Sequence, residues 1–259
     1  MKNRFFRPLV ILLGLTLVIS LFSVSGASPR PDSLAQTQQP SSADGPCPAV
    51  EIEPVDARTA LQALKCGNLR WRSKMNERDW KVEREKTARS QNPFAVVLTC
   101  MDSRVPPELI FDRGLGEIFV IRVAGPVLND QMMLNSSDLA SLEYALVKLH
   151  VKLVVALGHT DCGAVHNAVL GTKGHYLPQL FEKIRPAIRY VSVNFNGRKP
   201  IDPKDHKNLD RVSLFNAKFI HTKIAANPLW RREPGLKVHW GLYDLGSGKA
   251  AIDPTDVEQ

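Results

Sequence analysis

The stretch FAVVLTCMDSRVPPELIF occupies residues 94–111. Its opening, FAVVLT, is a short continuous apolar run, which suits a strand buried on both faces. Pro106 and Pro107 then fit a first helical turn, and the segment they start runs to a glycine, Gly114. Between the strand and the helix stand Cys100, Asp102 and Arg104. A thiol beside a carboxylate beside a guanidinium serves equally as a reactive nucleophile, a redox thiol, a metal ligand, or a buried cysteine next to a surface ion pair. The stretch alone leaves these four open.

Working outward, the same strand-then-helix unit recurs. EIFVIRVAG (117–125) reads as a second strand and KLVVALG (152–158) as a third. Between them SSDLASLEYALVKLH (136–150) reads as a helix, with Ser136 or Ser137 able to cap its first amides. CGAVHNAVLG (162–171) starts another helix that Gly171 can end. Upstream, DARTALQALKCGNLRWRSKM (56–75) carries apolar residues at Leu61, Leu64 and Leu69. It reads as a helix, a break at Gly67-Asn68, and a second turn of helix. Downstream, a long helix pattern over 209–226 stops at Asn227-Pro228. LKVHWGLYDLGSGKA (236–250) alternates like a strand at the sheet edge, with a turn at 246–248. NGRKPIDPKDHKNLD (196–210) is polar and proline-broken, and reads as a surface loop. Strands alternating with helices predict an α/β fold: a mostly parallel central sheet of four strands plus an edge strand, flanked by helices. There is no internal repeat.

The chain has 259 residues, of which 44% are hydrophobic and 23% charged, so most of it can bury a core. The formal charge is +8; Lys2, Arg4 and Arg7 supply three of these charges, leaving about +5 for the rest. No Lys/Arg run of the kind that binds nucleic acid is present. Residues 1–27 read as a signal peptide: the three cations precede LVILLGLTLVISLFSV (9–24), and small residues at Ser25 and Ala27 mark a cleavage site. The apolar core of 16 residues is short for a membrane span. An uncleaved anchor, the only route to membrane contact, is the alternative. Residues 28–54, rich in Pro, Ser and Gln, read as a flexible leader, and 55–259 as one domain. The localisation expected is extracytoplasmic, with a periplasm the simplest choice.

Cys100 and the H-x-x-C of His159 and Cys162 both follow the ends of apolar strands. In a parallel α/β sheet the carboxyl ends of strands are where ligands bind, so these residues can converge. Two thiolates and one imidazole suit Zn²⁺ by softness. Three protein ligands leave a fourth position free, as in catalytic rather than structural zinc. A carboxylate at Asp102 can orient a water there, and Arg104 can keep that carboxylate ionised. A thiol-redox protein would want C-x-x-C, which is absent.

CMDSRVPPELIF, FVIRVAG, SLEYA and LGHTDCGAV, with LQALKCGNLRW near the start, together resemble the β-class carbonic anhydrases. The resemblance runs from about Ala57 to the C-terminal strand. It implies that Cys100, His159 and Cys162 bind one catalytic Zn²⁺ per chain and that Asp102 and Arg104 form a dyad beside it. It implies reversible hydration of CO₂ to bicarbonate and a proton, by attack of zinc-bound hydroxide. Gln91, Phe119, Tyr144 and Gly163 match residues lining the family's substrate pocket, which lies at a subunit interface. A dimer or higher even oligomer is therefore implied. Gln91 matches the open, plant-like kind of site, in which the aspartate stays clear of the metal. Tyr144 has support from periodicity too, since it points away from the Leu139, Leu142, Leu146 and Leu149 stripe. Pro126 departs from the asparagine of many relatives. Cys47 and Cys66 can form a disulfide in an exported protein. His166, four residues past Cys162, can relay protons or simply pack. The same ligands and dyad would serve a sibling hydrolase of a linear CO₂ analogue such as carbon disulfide.

Overall fold

The computed structural model describes Cys47, residues 53–128 and residues 137–253. The signal peptide and almost all of the leader lie outside the described residues, as does Ser136, one of the two proposed caps. Five strands form one sheet in the order β2-β1-β3-β4-β5. β1 (Ala95–Thr99) pairs in parallel with β2 (Ile118–Arg122) on one side and β3 (Leu153–His159) on the other. β4 (Lys237–Tyr243) runs parallel to β3, and the short β5 (Ala250–Ile252) closes the edge antiparallel to β4. The 236–250 segment is therefore not itself the edge: its first half is an interior strand, and the residues past its turn supply the edge.

β1 and β3 are buried along their whole length, so their side chains feed two separate cores. Val96, Leu98, Val154 and Ala156 face α4 (Ser137–Glu143) and α7 (His206–Ala226), meeting Leu142, Leu146, Ile220 and Ile224. Ala95, Val97, Leu153 and Val155 face α1 (Ala57–Arg72) and α3 (Pro107–Ile110), meeting Ala60, Leu64, Ile110 and Phe111. This is the period-two alternation of a strand with both faces covered. The chain leaves β1 towards β2 but leaves β3 towards β4. The connections diverge at the β1/β3 boundary, which opens a crevice at the carboxyl ends of those two strands.

Four helices differ from the periodicity reading. α1 runs unbroken through Gly67-Asn68. A side chain at Gly67 would overlap the Phe111 carbonyl, so glycine there permits a close α1–α3 approach rather than a break. Asn68 is buried, donating to Ile110 O and Gly248 O and accepting from Ala250 N–H. α2 (Trp80–Thr87) has no buried residue and so no apolar stripe to read; Asp79 caps it by accepting from Lys81 and Val82 N–H. α6 (Leu177–Phe195) contains Pro186, a nominal breaker, yet buries Phe181, Ile184, Ala187 and Val191 at helical spacing. α7 begins at His206, capped by Asp205, so only 196–205 of the expected loop is loop. α4 continues into a π-helical turn, Tyr144–Lys148, and α5 (Gly163–Leu170) ends at Gly171 in the left-handed region. Among the described residues, no helix is long and apolar enough to cross a membrane.

Candidate metal centre and active site

Cys100 is the first residue past β1, His159 the last of β3, and Cys162 the N-cap of α5. The crevice between β1 and β3 therefore receives all three. Their ligating atoms lie within 4.8 Å of one another, and all three residues are buried. His159 Nδ1 lies 2.8 Å from the Thr160 carbonyl. Donation to that carbonyl fixes the tautomer and turns Nε2, with its lone pair, towards the two thiols. Nε2 is buried and has no hydrogen-bond partner. A buried polar atom without a partner needs an explanation, and a cation held by one nitrogen and two sulfurs supplies it.

The two thiols are close enough to hydrogen-bond, which pushes their ionisations apart. Cys100 is pulled well below the thiol range, chiefly by the hydrogen bond from Cys162, against the opposing effect of burial. Cys162 is driven well above the thiol range by that same Cys100 partner and by burial. One thiolate is thus ready at neutral pH, and a divalent cation would favour the second.

Asp102 sits beside the cluster, its Oδ2 4.0 Å from His159 Nε2. Arg104 grips both of its oxygens: Nε donates to Oδ1 at 2.9 Å and an Nη to Oδ2 at 2.8 Å, while the Arg104 backbone N–H adds a third bond to Oδ1. These bonds, the side-chain pair first, hold the Asp102 carboxyl down at about 2. Arg104 also donates to Asp161 O at 3.2 Å. Asp161 in turn lies 3.6 Å from Arg104 and 3.7 Å from His206 at the exposed rim.

Of the other expected pocket residues, Gly163 adjoins this cluster, whereas Gln91, Phe119 and Tyr144 stand on other segments. Phe119 pairs in register with Val96, four positions short of Cys100, or roughly 13 Å along the strand. Gln91 is exposed beside Gly116, ahead of β1 and β2. Tyr144 is 51% exposed and meets Phe119 edge to face with ring centroids 6.4 Å apart. Gly163 stands next to Cys162 with open space where a side chain would go. His166 is half-buried on α5. Cys47 and Cys66 are joined by a disulfide with Cα atoms 5.6 Å apart.

Three contributors escaped the motif reading. Arg122, at the end of β2, donates to the backbone carbonyls of Cys100 and Asp102. Gly125 donates its N–H to Cys100 Sγ at 3.3 Å. The loop carrying Pro126 thus reaches Cys100 through its neighbour Gly125. Asn216 on α7 donates to Gly125 O and Pro126 O. Its only sequence signal is an amide inside the buried stripe of Val212, Phe215, Ala217 and Ile220.

A sequence model of the family described as carbonic anhydrase matches residues 95–250. The chain is 36% identical over 207 residues to carbonic anhydrase 2 of Mycobacterium tuberculosis, covering 74% of this chain and 91% of that protein. Among solved structures, it resembles a tetrameric β-carbonic anhydrase of Sordaria macrospora: TM-score 0.58, 25% identity, covering 65% of this chain and 84% of that one. It also resembles the β-carbonic anhydrase CafA of Aspergillus fumigatus: TM-score 0.57, 27% identity, covering 67% and 83%.

Proposed function

The chain belongs to the β class of the carbonic anhydrase family, and from that premise we propose that it hydrates CO₂ reversibly at a zinc ion held by Cys100, His159 and Cys162. The observation that carries this reading is the buried convergence of two thiols and one unpartnered imidazole nitrogen. Zinc bound there would supply a Lewis acid that lowers the pKa of water to about 7. The chain's own residues do the rest. Thr160 fixes the imidazole that His159 presents. Asp102, kept ionised by Arg104, is an acceptor only, so a water near it donates a hydrogen bond to it and turns a lone pair towards the substrate. The two-pronged Arg104 grip favours an open site in which Asp102 stays on its arginine. Stopped-flow CO₂ hydration with zinc analysis tests these roles. Asp102→Asn is expected to keep its zinc and lose about a hundredfold or more in turnover. Zinc near one per chain without hydration in the unaltered protein would sink the enzyme reading, and full activity in the variant would reject the role of Asp102.

Gln91, Phe119 and Tyr144 are read as completing the pocket of a neighbouring protomer. The exposure of Gln91 and Tyr144, and the separation of Phe119 along its strand from Cys100, support an even oligomer. Residues 1–27 are read as directing export to an extracytoplasmic space. The Cys47–Cys66 disulfide supports an oxidising compartment. Both readings are tested on protein purified from its native compartment. The expected protein begins at Ser28 and sediments as a dimer or a multiple of one; an uncleaved N-terminus or a monomer would reject the corresponding reading.

A further inference from the structure

The loop after β2 directs a hydrogen bond at the metal cluster, from the Gly125 N–H to Cys100 Sγ. Gly125 has φ +65, and a side chain there would strike Ile184 Cδ1 and Ala164 Cβ, so glycine is what lets this amide approach. What holds the loop lies on α7. Asn216 is buried, and its Nδ2 donates to Gly125 O and to Pro126 O at 2.7 Å each. Those two bonds use both hydrogens of the side-chain amide. Between the two pinned carbonyls sits the Pro126 ring, whose fixed φ removes one of the loop's remaining freedoms.

We propose that Asn216 is a positioning residue for the metal centre: through the Gly125–Pro126 loop it aims an N–H at the Cys100 sulfur and so sets how firmly that sulfur holds the metal. This rests on the reading of Cys100 as a metal ligand. An N–H that points at a charged sulfur is a charge-assisted donor, and it favours the thiolate over the thiol. Removing Asn216 leaves two buried carbonyls unpaired, and the loop turns to find other donors, which swings the Gly125 amide off the sulfur. Arg122 still anchors the Cys100 and Asp102 carbonyls, so the loss falls on the sulfur rather than on the strand end.

The test compares the full chain with Asn216→Ala and with a Leu64→Ala control. Leu64 is fully buried on the opposite face of the sheet and lowers stability without touching this loop. Zinc affinity is measured by competition with a chelator, and the thiolate-to-metal charge-transfer band is read in the cobalt-substituted protein. Asn216→Ala is expected to weaken zinc binding by about 10- to 100-fold and to move the band to lower energy, because the sulfur becomes more electron-rich. Leu64→Ala is expected to lower the melting temperature with both readouts unchanged. If Asn216→Ala behaves like the control, the proposal is overturned. Should Asn216→Ala not fold, cadmium-113 in the unaltered protein is the second measurement: the Gly125 amide proton is expected to couple to the metal through the sulfur, and no coupling overturns the proposal. An unaltered chain that binds neither zinc nor cobalt overturns the metal-ligand reading itself, which separates the two failures.

Discussion

Asp102 and His159 show how a few bonds assign chemical roles to single side chains. The carboxyl of Asp102 is depressed to about 2 by Arg104. A group whose folded pKa is depressed adds stability that is present above its unfolded pKa, about 3.9, and is lost as pH falls through the folded value. The dyad is therefore expected to stay intact at pH 4 and to break only near pH 2. Carboxyl-carbon NMR of Asp102 checks this, and titration near 4 would contradict it. It follows that Asp102 does not set an acid limb of the hydration rate near neutrality. At this scale, the Cys-His-Cys cluster and the Asp102–Arg104 pair were legible because each motif is contiguous and its members stand within four residues. Arg122, Gly125 and Asn216 were not, because the atoms they serve lie 22, 25 and 91 residues away. Nothing local in the chain announces such partners.

Among the elements, α1 separates propensity from packing most clearly. Gly67-Asn68 has the composition of a helix stop, yet the helix passes through it because its two side-chain positions face Phe111 and the β4–β5 turn. Gly67→Ala is expected to cost about 1–3 kcal/mol in denaturant unfolding, since α1 and α3 must part to admit a methyl group. Hydration per folded molecule should be unchanged; a neutral or stabilising result would mean that helix propensity, not the α1–α3 contact, governs the position. β1 and β3 were readable from apolar runs alone because both of their faces are covered. α2 and α6 were not, the first for want of any buried face and the second because Pro186 masks a sound apolar stripe. β4 alternates like an edge strand yet lies inside the sheet, where its neighbour β5 is only three residues long.

For the whole molecule, topology decides where chemistry can occur. The divergence of connections at β1 and β3 brings together residues separated by most of a strand–helix–strand–helix–strand passage, and it does so in a buried crevice. The parallel class of the sheet was legible in the alternation of elements. The pocket was less so: Gln91, Phe119 and Tyr144 stand on segments ahead of or beside the strand ends that carry the cysteines, so their part rests on the proposed pairing of chains. The central claim is one zinc per chain at Cys100, His159 and Cys162, supporting CO₂ hydration. It is tested most directly by stripping the metal and titrating zinc back while following hydration by stopped flow. Activity is expected to be absent without metal, to rise in proportion to added zinc, and to saturate at one zinc per chain, with Cys162→Ser never reaching it. Hydration by the metal-free protein, or saturation at a clearly different stoichiometry, would contradict it.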